Sequence, residues 1–359
     1  MDKQLLRDTD SLQLNQTIIQ YLSEIDRFSG SWLSLGQIAP ERLTTLRQIA
    51  TLESIGSSNR IEGNRLTNSQ IQTILDRLSM TSFKTRDEQE VAGYAKVMDT
   101  VFKNWEYIPF SENVIRQLHK DMLSYSDKDD RHRGNYKTVP NSIAAFKDGR
   151  QIGIIFETAS PLETPLLMKE LVDWTQAMLE TRRIHPLVVT GIFTVFFLAI
   201  HPFTDGNGRL SRILTSFLLL KSGYTYIPYS SLESIIEANK VAYYAALRET
   251  QISFRTDKPD WTPWLEFFLS SLTQQVRQLQ KKVNEAHMMD SPLPELSQRI
   301  LELARSHGYV TTNTIHQATG ANKSTIKYQL GQLQRKKLLQ KYGNGPSTHY
   351  KLTIAIVPA

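Results

Sequence analysis

The sequence predicts a mainly α-helical protein in two parts, a large helical core interrupted by one β-hairpin and a small basic domain at the C-terminal end. Three observations carry this. Apolar residues recur at three-and-four spacing through most of residues 40–285. A single stretch, 133–161, breaks that spacing with Gly, Pro, Asn and β-branched residues. The charge is also lopsided: of a net +6, residues 291–359 hold nine Lys/Arg against two acids, which leaves −1 for everything before them. A near-neutral large part and a strongly basic small part imply two jobs, the small one facing an anionic polymer.

With 359 residues and 40% hydrophobic content, folding can bury roughly three quarters of the unfolded surface, enough for one large domain and one small one. The 22% charged content and the absence of any 18-residue apolar tract exclude a disordered tail and a membrane span. There are no cysteines, so disulfides and thiolate metal sites are excluded. Met1-Asp2-Lys3-Gln4 lacks the basic-then-apolar pattern of a secretory signal, and the expected location is the cytoplasm.

Leu43, Leu46, Ile49, Ala50 and Leu52 set a helical period that Ser111 to Met122 repeats. Asp148-Gly149 between Ile143–Phe146 and Ile152–Phe156 is a hairpin signal. Helical spacing resumes over Pro165 to Thr181, in the apolar run Leu187 to Ile200, over Arg209 to Ser222 and around Ile235 to Thr250. Thr190, Gly191 and Thr194 interrupt the apolar run, which reads as a buried core helix. Leu265, Leu269, Leu272, Val276, Leu279 and Val283 form a heptad seam. It is read as a terminal helix packed on its own domain, with a coiled-coil homodimer as the alternative. Met288 to Pro294 breaks the helix and marks the boundary. The expected regions are 1–110, 111–287 and 291–359.

The last region opens with a helix over Gln298 to Ser306 that Gly308 ends, followed by a second over Thr312 to Thr319. Gly320-Ala321 turns the chain, and Asn322 caps a third helix to about Lys336. Leu338–Tyr342 and His349–Leu352 read as strands. This order resembles the winged helix-turn-helix class, which implies DNA binding through 291–359, with Lys323, Ser324, Lys327 and Tyr328 facing a groove and Lys341 and Lys351 near phosphates. A protein-binding module of the same shape is the alternative.

One stretch concentrates chemistry: His201-Pro202-Phe203-Thr204-Asp205-Gly206-Asn207-Gly208-Arg209-Leu210-Ser211-Arg212. It puts an imidazole at the end of an apolar helix, where burial tunes its pKa. Gly206-Asn207-Gly208 offers successive N–H groups at the start of the next helix, an anion nest suited to polyphosphate. Arg209 and Arg212 share a helix face and can clamp outer phosphates, and Asp205 is placed to hold Mg²⁺. The string resembles the Fic family signature, H-P-F-x-[DE]-G-N-G-R-x-x-R, at every defined position. The likeness spans about residues 40–285.

The resemblance implies a Fic helical core with a β-hairpin flap, and an enzyme that transfers AMP from ATP to a Ser, Thr or Tyr hydroxyl of a target protein and of itself. On that likeness His201 is the general base and Asp205 the Mg²⁺ ligand. Gly206, Asn207 and Gly208 cradle the phosphates, with Leu210 and Ser211 in the same nucleotide-binding run. Arg209 supports the phosphates and Arg212 holds the γ-phosphate. The hairpin corresponds to the flap, which takes an extended target segment as an added strand, with Ile155, Phe156, Glu157 and Thr158 nearest the nucleotide. Tyr243-Tyr244-Ala245-Ala246-Leu247 resembles the family's Y-Y-x-x-L helix, which makes Tyr243 an adenine contact. Gln251 stands where some relatives have an adenine-binding Asn.

Ser58 and Glu62 lie one helical turn apart, and Gly63 follows as a terminator. In isolation this is a helix end with a solvated Glu. Beside the downstream string it resembles the family's inhibitory motif, [ST]-x-x-x-E-[GN], which implies that Glu62 pairs with Arg212 and blocks productive γ-phosphate binding. Other readings stay open: a Fic enzyme with a different donor, one that removes AMP, or a DNA-binding regulator whose Fic-like part senses nucleotide.

Overall fold

The computed structural model describes residues 9, 12–34, 40–78, 82–147, 150–254, 256, 258–290, 293–336 and 338–353, with the backbone alone at 33–34, 127, 142–147, 150–156, 285–290 and 346. The chain forms two compact units, Met1–Gln280 and Lys281–Ala359. It is mainly helical, and none of the described helices is long and apolar enough to cross a membrane.

The first unit contains α1 (Gln16–Ser34), α2 (Pro40–Ile61), α3 (Asn68–Leu75), α4 (Arg86–Asn104), α5 (Glu112–Met122), a hairpin of β1 (Ser142–Lys147) and β2 (Arg150–Glu157), α6 (Thr164–Thr181), α7 (Pro186–Ile200), α8 (Asn207–Lys221), α9 (Leu232–Ala238), α10 (Lys240–Ser253) and most of α11 (Thr262–Asp290), whose last ten residues belong to the second. Local chemistry sets the starts of several. Thr67 with Gln70 and Thr85 with Glu88 close capping boxes on α3 and α4, and Ser111 caps α5. Prolines stand in the first turns of α6 and α7, where a missing N–H costs nothing.

Every residue of α7 is buried. Its hydroxyls fold back on the helix, Thr190 to the Pro186 carbonyl at 2.9 Å and Thr194 to that of Thr190 at 2.8 Å. At Gly191 a Cβ would meet Leu265 at 2.9 Å and Phe268 at 3.1 Å, and the Trp264 indole donates to the Gly191 carbonyl at 2.7 Å. The glycine therefore lets α11 close on α7. Leu265, Leu269, Leu272, Val276 and Leu279 are all buried within the chain, so the heptad seam is filled internally and does not offer a face for a coiled-coil homodimer.

The hairpin strands pair antiparallel from Ser142↔Glu157 to Lys147↔Arg150, with irregularities after Ile143 and Ala145. The Asp148-Gly149 turn lies outside the described residues. Three boundaries differ from the sequence reading. The helix around 235–250 is two, because Asn239 ends α9 by donating to the Ile235 carbonyl and also opens α10. α11 continues through Met288-Met289-Asp290. α1 was not anticipated, although Ile18, Leu22, Ile25 and Phe28 are its buried stripe.

In the second unit, α12 (Glu295–His307) ends on Gly308 at φ +75°. α13 (Thr312–Thr319) leads through Gly320 to α14 (Lys323–Arg335), whose first turn Asn322 caps. β3 (Leu339–Tyr342) pairs with β4 (His349–Leu352), and Val310 adds a bridge to Tyr350. Ile300, Ile315, Ile326, Leu330, Leu333 and Leu339 form its core.

Candidate active site

His201 ends α7 with its backbone in the left-handed region at φ +51°, donating its N–H to the Phe197 carbonyl at 2.9 Å. For a residue with a Cβ this costs about 1–2 kcal/mol, and it turns the imidazole out of the helix. Nδ1 lies 3.3 Å from the Leu198 carbonyl. A carbonyl only accepts, so Nδ1 carries the hydrogen and Nε2 keeps a free lone pair. Burial pulls the imidazole down to about 4, which keeps it neutral near pH 7.

The loop after His201 is held from both sides. The Asn207 carboxamide accepts from Phe203 N–H at 2.9 Å and donates to the Phe203 carbonyl at 2.7 Å. The His119 ring stacks on Phe203 at 3.8 Å. Gly134 N–H donates to His119 Nδ1 at 2.9 Å, so Nε2 bears the hydrogen and donates to the Asp205 carbonyl at 3.0 Å. Gly206 takes φ +78°, and a Cβ there would press on Met122 at 2.7 Å.

Gly206 caps α8 without a side chain, so the first-turn N–H groups are left for an external anion. A carboxylate from the turn just after α2 already lies beside it: a Cβ on Gly208 would collide with the Glu62 carboxylate. Arg212 Nη2 donates to Glu62 Oε1 at 2.8 Å and to the Ser58 carbonyl at 2.9 Å, while Nε donates to Ser58 Oγ at 2.8 Å. Ser58, Glu62 and Arg212, far apart in sequence, thus form one cluster, and Gly63 at φ +97° releases the chain from α2 just beyond it. Burial acts to lower the Arg212 pKa, but the charge and hydrogen bond of Glu62 together with Tyr243 and Tyr94 outweigh it and hold the guanidinium above its ordinary range.

Asp205 lies in a ring of charges. Arg86 Nη2 is 2.8 Å from Asp205 Oδ2, Arg86 Nε is 2.8 Å from Glu90 Oε1, and Glu90 Oε2 is 3.0 Å from Arg209 Nη1. Arg209 Nη2 closes it 3.6 Å from Asp205 Oδ1, which also accepts from Gly206 N–H at 2.6 Å. Burial alone would raise the Asp205 carboxyl, and Arg209, the Gly206 N–H and Arg86 together hold it below the usual range. Arg209 Nε and Arg212 Nη1 are buried without hydrogen-bond partners among the described residues. Orphaned guanidinium donors beside an uncapped helix start fit a polyphosphate, and one partly exposed carboxylate fits Mg²⁺, which commonly takes one or two protein carboxylates with phosphate and water.

The other expected positions divide. Leu210 and Ser211 are fully buried, Ser211 donating to the Gly208 carbonyl at 2.8 Å, so they shape the first turn of α8. Tyr243 is buried among Tyr244, Trp264 and Phe267. Burial pushes its phenol up to about 12 while the Arg212 charge pulls it down, which puts it beside the Arg212 cluster. Gln251 is buried farther along α10 and donates to the Val195 carbonyl at 3.4 Å, so its amide serves α7. The Ile155 and Phe156 side chains lie outside the described residues, Glu157 is exposed, and the Thr158 hydroxyl donates to the Asn141 carbonyl at 2.6 Å. Sequence reasoning missed Arg86, Glu90 and His119. The Thr85–Glu88 capping box could have placed Arg86 and Glu90 in one helical turn, but no local signal marks His119.

Residues 109–219 match the Fic/DOC family. The protein adenylyltransferase Fic of Drosophila virilis is 26% identical over 275 residues, covering 75% of this chain and 53% of that protein. The Drosophila melanogaster protein of the same name is 27% identical over 277 residues, covering 74% and 53%. The chain therefore spans about half the length of these curated relatives. Among solved structures, a Fic family protein from Desulfovibrio desulfuricans G20 shares the fold over 96% of this chain and 98% of its own, with a TM-score of 0.60 at 23% identity. A Fic domain containing signaling protein from Bacteroides thetaiotaomicron gives a TM-score of 0.59 at 26% identity over 73% of this chain and 97% of its own.

Proposed function

We propose that this chain, which carries a Fic/DOC domain, is a protein adenylyltransferase that moves AMP from ATP to a Ser, Thr or Tyr hydroxyl of a target protein and is restrained by its own Glu62. The observation that carries the reading is the neutral His201, with Nε2 free, beside an uncapped α8 whose anion position holds Glu62. Curated relatives named protein adenylyltransferases support it.

His201 Nε2 takes the proton of the target hydroxyl, and the oxygen attacks the α-phosphorus. The bond to the β-phosphate oxygen breaks and pyrophosphate leaves. Removing such a base costs ~10²–10⁴-fold in rate. The α8 N–H groups, Arg209 and Arg212 hold the phosphates, positioning them in line and stabilising developing charge. Asp205 would hold Mg²⁺, which supplies charge neutralisation on the phosphate oxygens. Glu62 occupies Arg212 and the helix start together, so the outer phosphate lacks its clamp until Glu62 leaves. The β1–β2 hairpin takes an extended target segment by strand addition. Tyr243 belongs to the adenine side. Self-modification is part of the proposal.

The test is to incubate wild type, Glu62→Gly and Glu62→Gly/His201→Ala with Mg²⁺ and ATP labelled at the α- or the γ-phosphate. Protein-bound α-label that rises in Glu62→Gly and vanishes in the double variant is the expected result. Label from the γ-phosphate alone would make the reaction phosphoryl transfer and overturn this reading.

The second unit favours a separate role. Its helix, helix-turn-helix, hairpin order and the +7 charge of residues 291–359 support a winged-helix module that binds DNA through α14.

A further inference from the structure

A buried lysine lies between α5 and the hairpin, and the chemistry proposed above leaves it unused. Lys137 is 3% exposed, and its ammonium donates to Asn141 Oδ1 at 2.7 Å, Thr158 Oγ1 at 2.9 Å and the Ile200 carbonyl at 2.9 Å. Three protons meet three acceptors, so the charge is fully satisfied where an unpaired one would be expelled. Burial nevertheless pulls Lys137 down to about 8, against the opposing charge of Glu163.

The three partners share a direction. Asn141 immediately precedes β1 and Thr158 immediately follows β2, whereas Ile200 is the last residue of α7 before His201. The same segment grips the next three carbonyls. Lys137 N–H donates to Pro202 at 2.8 Å, and Asn141 Nδ2 donates to His201 at 3.3 Å and to Phe203 at 3.0 Å. All four successive carbonyls from Ile200 to Phe203 are thus held from residues 137 and 141. A lysine that only filled space would be served as well by a methionine, which lacks diverging donors.

We propose that Lys137 is a positioning residue: with Asn141 and Thr158 it clamps both ends of the β1–β2 hairpin to the backbone carrying His201, so that a segment laid along the hairpin reaches Nε2 at a fixed distance. The proposal rests on the adenylyl-transfer reading for its purpose, and the clamp itself can be measured without transfer. The charged groups acting on His201 are Lys137, which favours the neutral imidazole, and Glu62 and Asp205, which oppose it. Removing the ammonium therefore releases the hairpin and raises the His201 titration midpoint together.

The measurement compares the full-length protein with Lys137→Met and Thr158→Val by hydrogen exchange of the hairpin amides and by NMR titration of His201. Lys137→Met is expected to speed hairpin exchange ~10-fold or more and to raise the His201 midpoint by about half a pH unit. Thr158→Val, which keeps the charge, should speed exchange and leave the midpoint in place. In the Glu62→Gly background Lys137→Met should raise KM for the acceptor protein about threefold or more with KM for ATP unchanged. A folded Lys137→Met protein with both hairpin exchange and the His201 midpoint unchanged overturns the clamp. Should that variant not fold, unchanged exchange in Thr158→Val overturns it instead. If the Glu62→Gly reference transfers no label, the functional reading fails while exchange and titration still decide the clamp.

Discussion

Two histidines of the site are kept neutral by burial, and each has a consequence in acid. His119 is wholly buried and pulled down to about 4, while in the unfolded chain it takes a proton near pH 6.5. Between those values the unfolded state binds more protons, so stability is full above about 6.5 and falls as pH drops toward 4. His201 acts in the same direction. Urea midpoints at pH 7 and pH 5 should show this loss. His119→Gln should flatten it, while costing about 1–3 kcal/mol at pH 7 through imperfect replacement of the bonds to Gly134 and Asp205. An undiminished pH dependence in that variant would move the effect away from His119. For the base, the same environment predicts that transfer by Glu62→Gly is nearly flat from pH 6 to 8 and declines only toward about 4. A rate that halves near 6.5 would contradict the tautomer and burial assigned to His201.

At the scale of elements, the proposed restraint is a relation between α2 and α8. α2 is held in place from outside the site: Arg60 pairs with Glu237 of α9 through two bonds, Nε at 2.7 Å and Nη2 at 2.9 Å, and its Nη1 reaches Asn68 of α3 at 3.0 Å. Loosening that hold should loosen Glu62 without touching the groups proposed to bind phosphate. Glu237→Gln is therefore expected to raise basal α-label transfer by less than Glu62→Gly does. Its stability loss should be only about 1 kcal/mol or less, because the pair is partly exposed. Equal transfer in Glu237→Gln and wild type, measured side by side, would show that α2 is fixed by other contacts. α8 depends in turn on Asn207, whose two bonds to Phe203 tie the signature loop to the helix start. Asn207→Ala should cost about 1–3 kcal/mol in denaturant melts, since it leaves the buried Phe203 N–H unpaired.

For the whole molecule, the two units divide charge as well as structure. If the basic unit binds DNA through phosphates, log K must fall linearly with log salt. Full-length protein titrated with duplex DNA at several salt concentrations should show that slope, and Lys341→Ala/Lys351→Ala should reduce it by about two. Binding that ignores salt would redirect the unit toward a protein partner.

Most of the helices after α1 and the run from His201 to Arg212 were legible in the sequence because both are local. A helical period, a capping Asn322 or a contiguous anion nest is defined by neighbours within a few positions, and the chain cannot form it elsewhere. Ser58 and Glu62 were legible as one helix face, but their meeting with Arg212, about 150 residues on, exists only once α2 lies against α8. Gln251 was marked only by the likeness to relatives with an Asn at that place, and its amide donates to the Val195 carbonyl. His119 and Lys137 carry no local pattern, for each acts on a backbone carbonyl 60 to 90 residues away. By itself the sequence determined which chemical groups are present and which helices carry them. Only the tertiary structure decided which groups are buried together, and the hydrogen bonds made there set the tautomers, the pairing of Arg212 and the grip on the His201 loop.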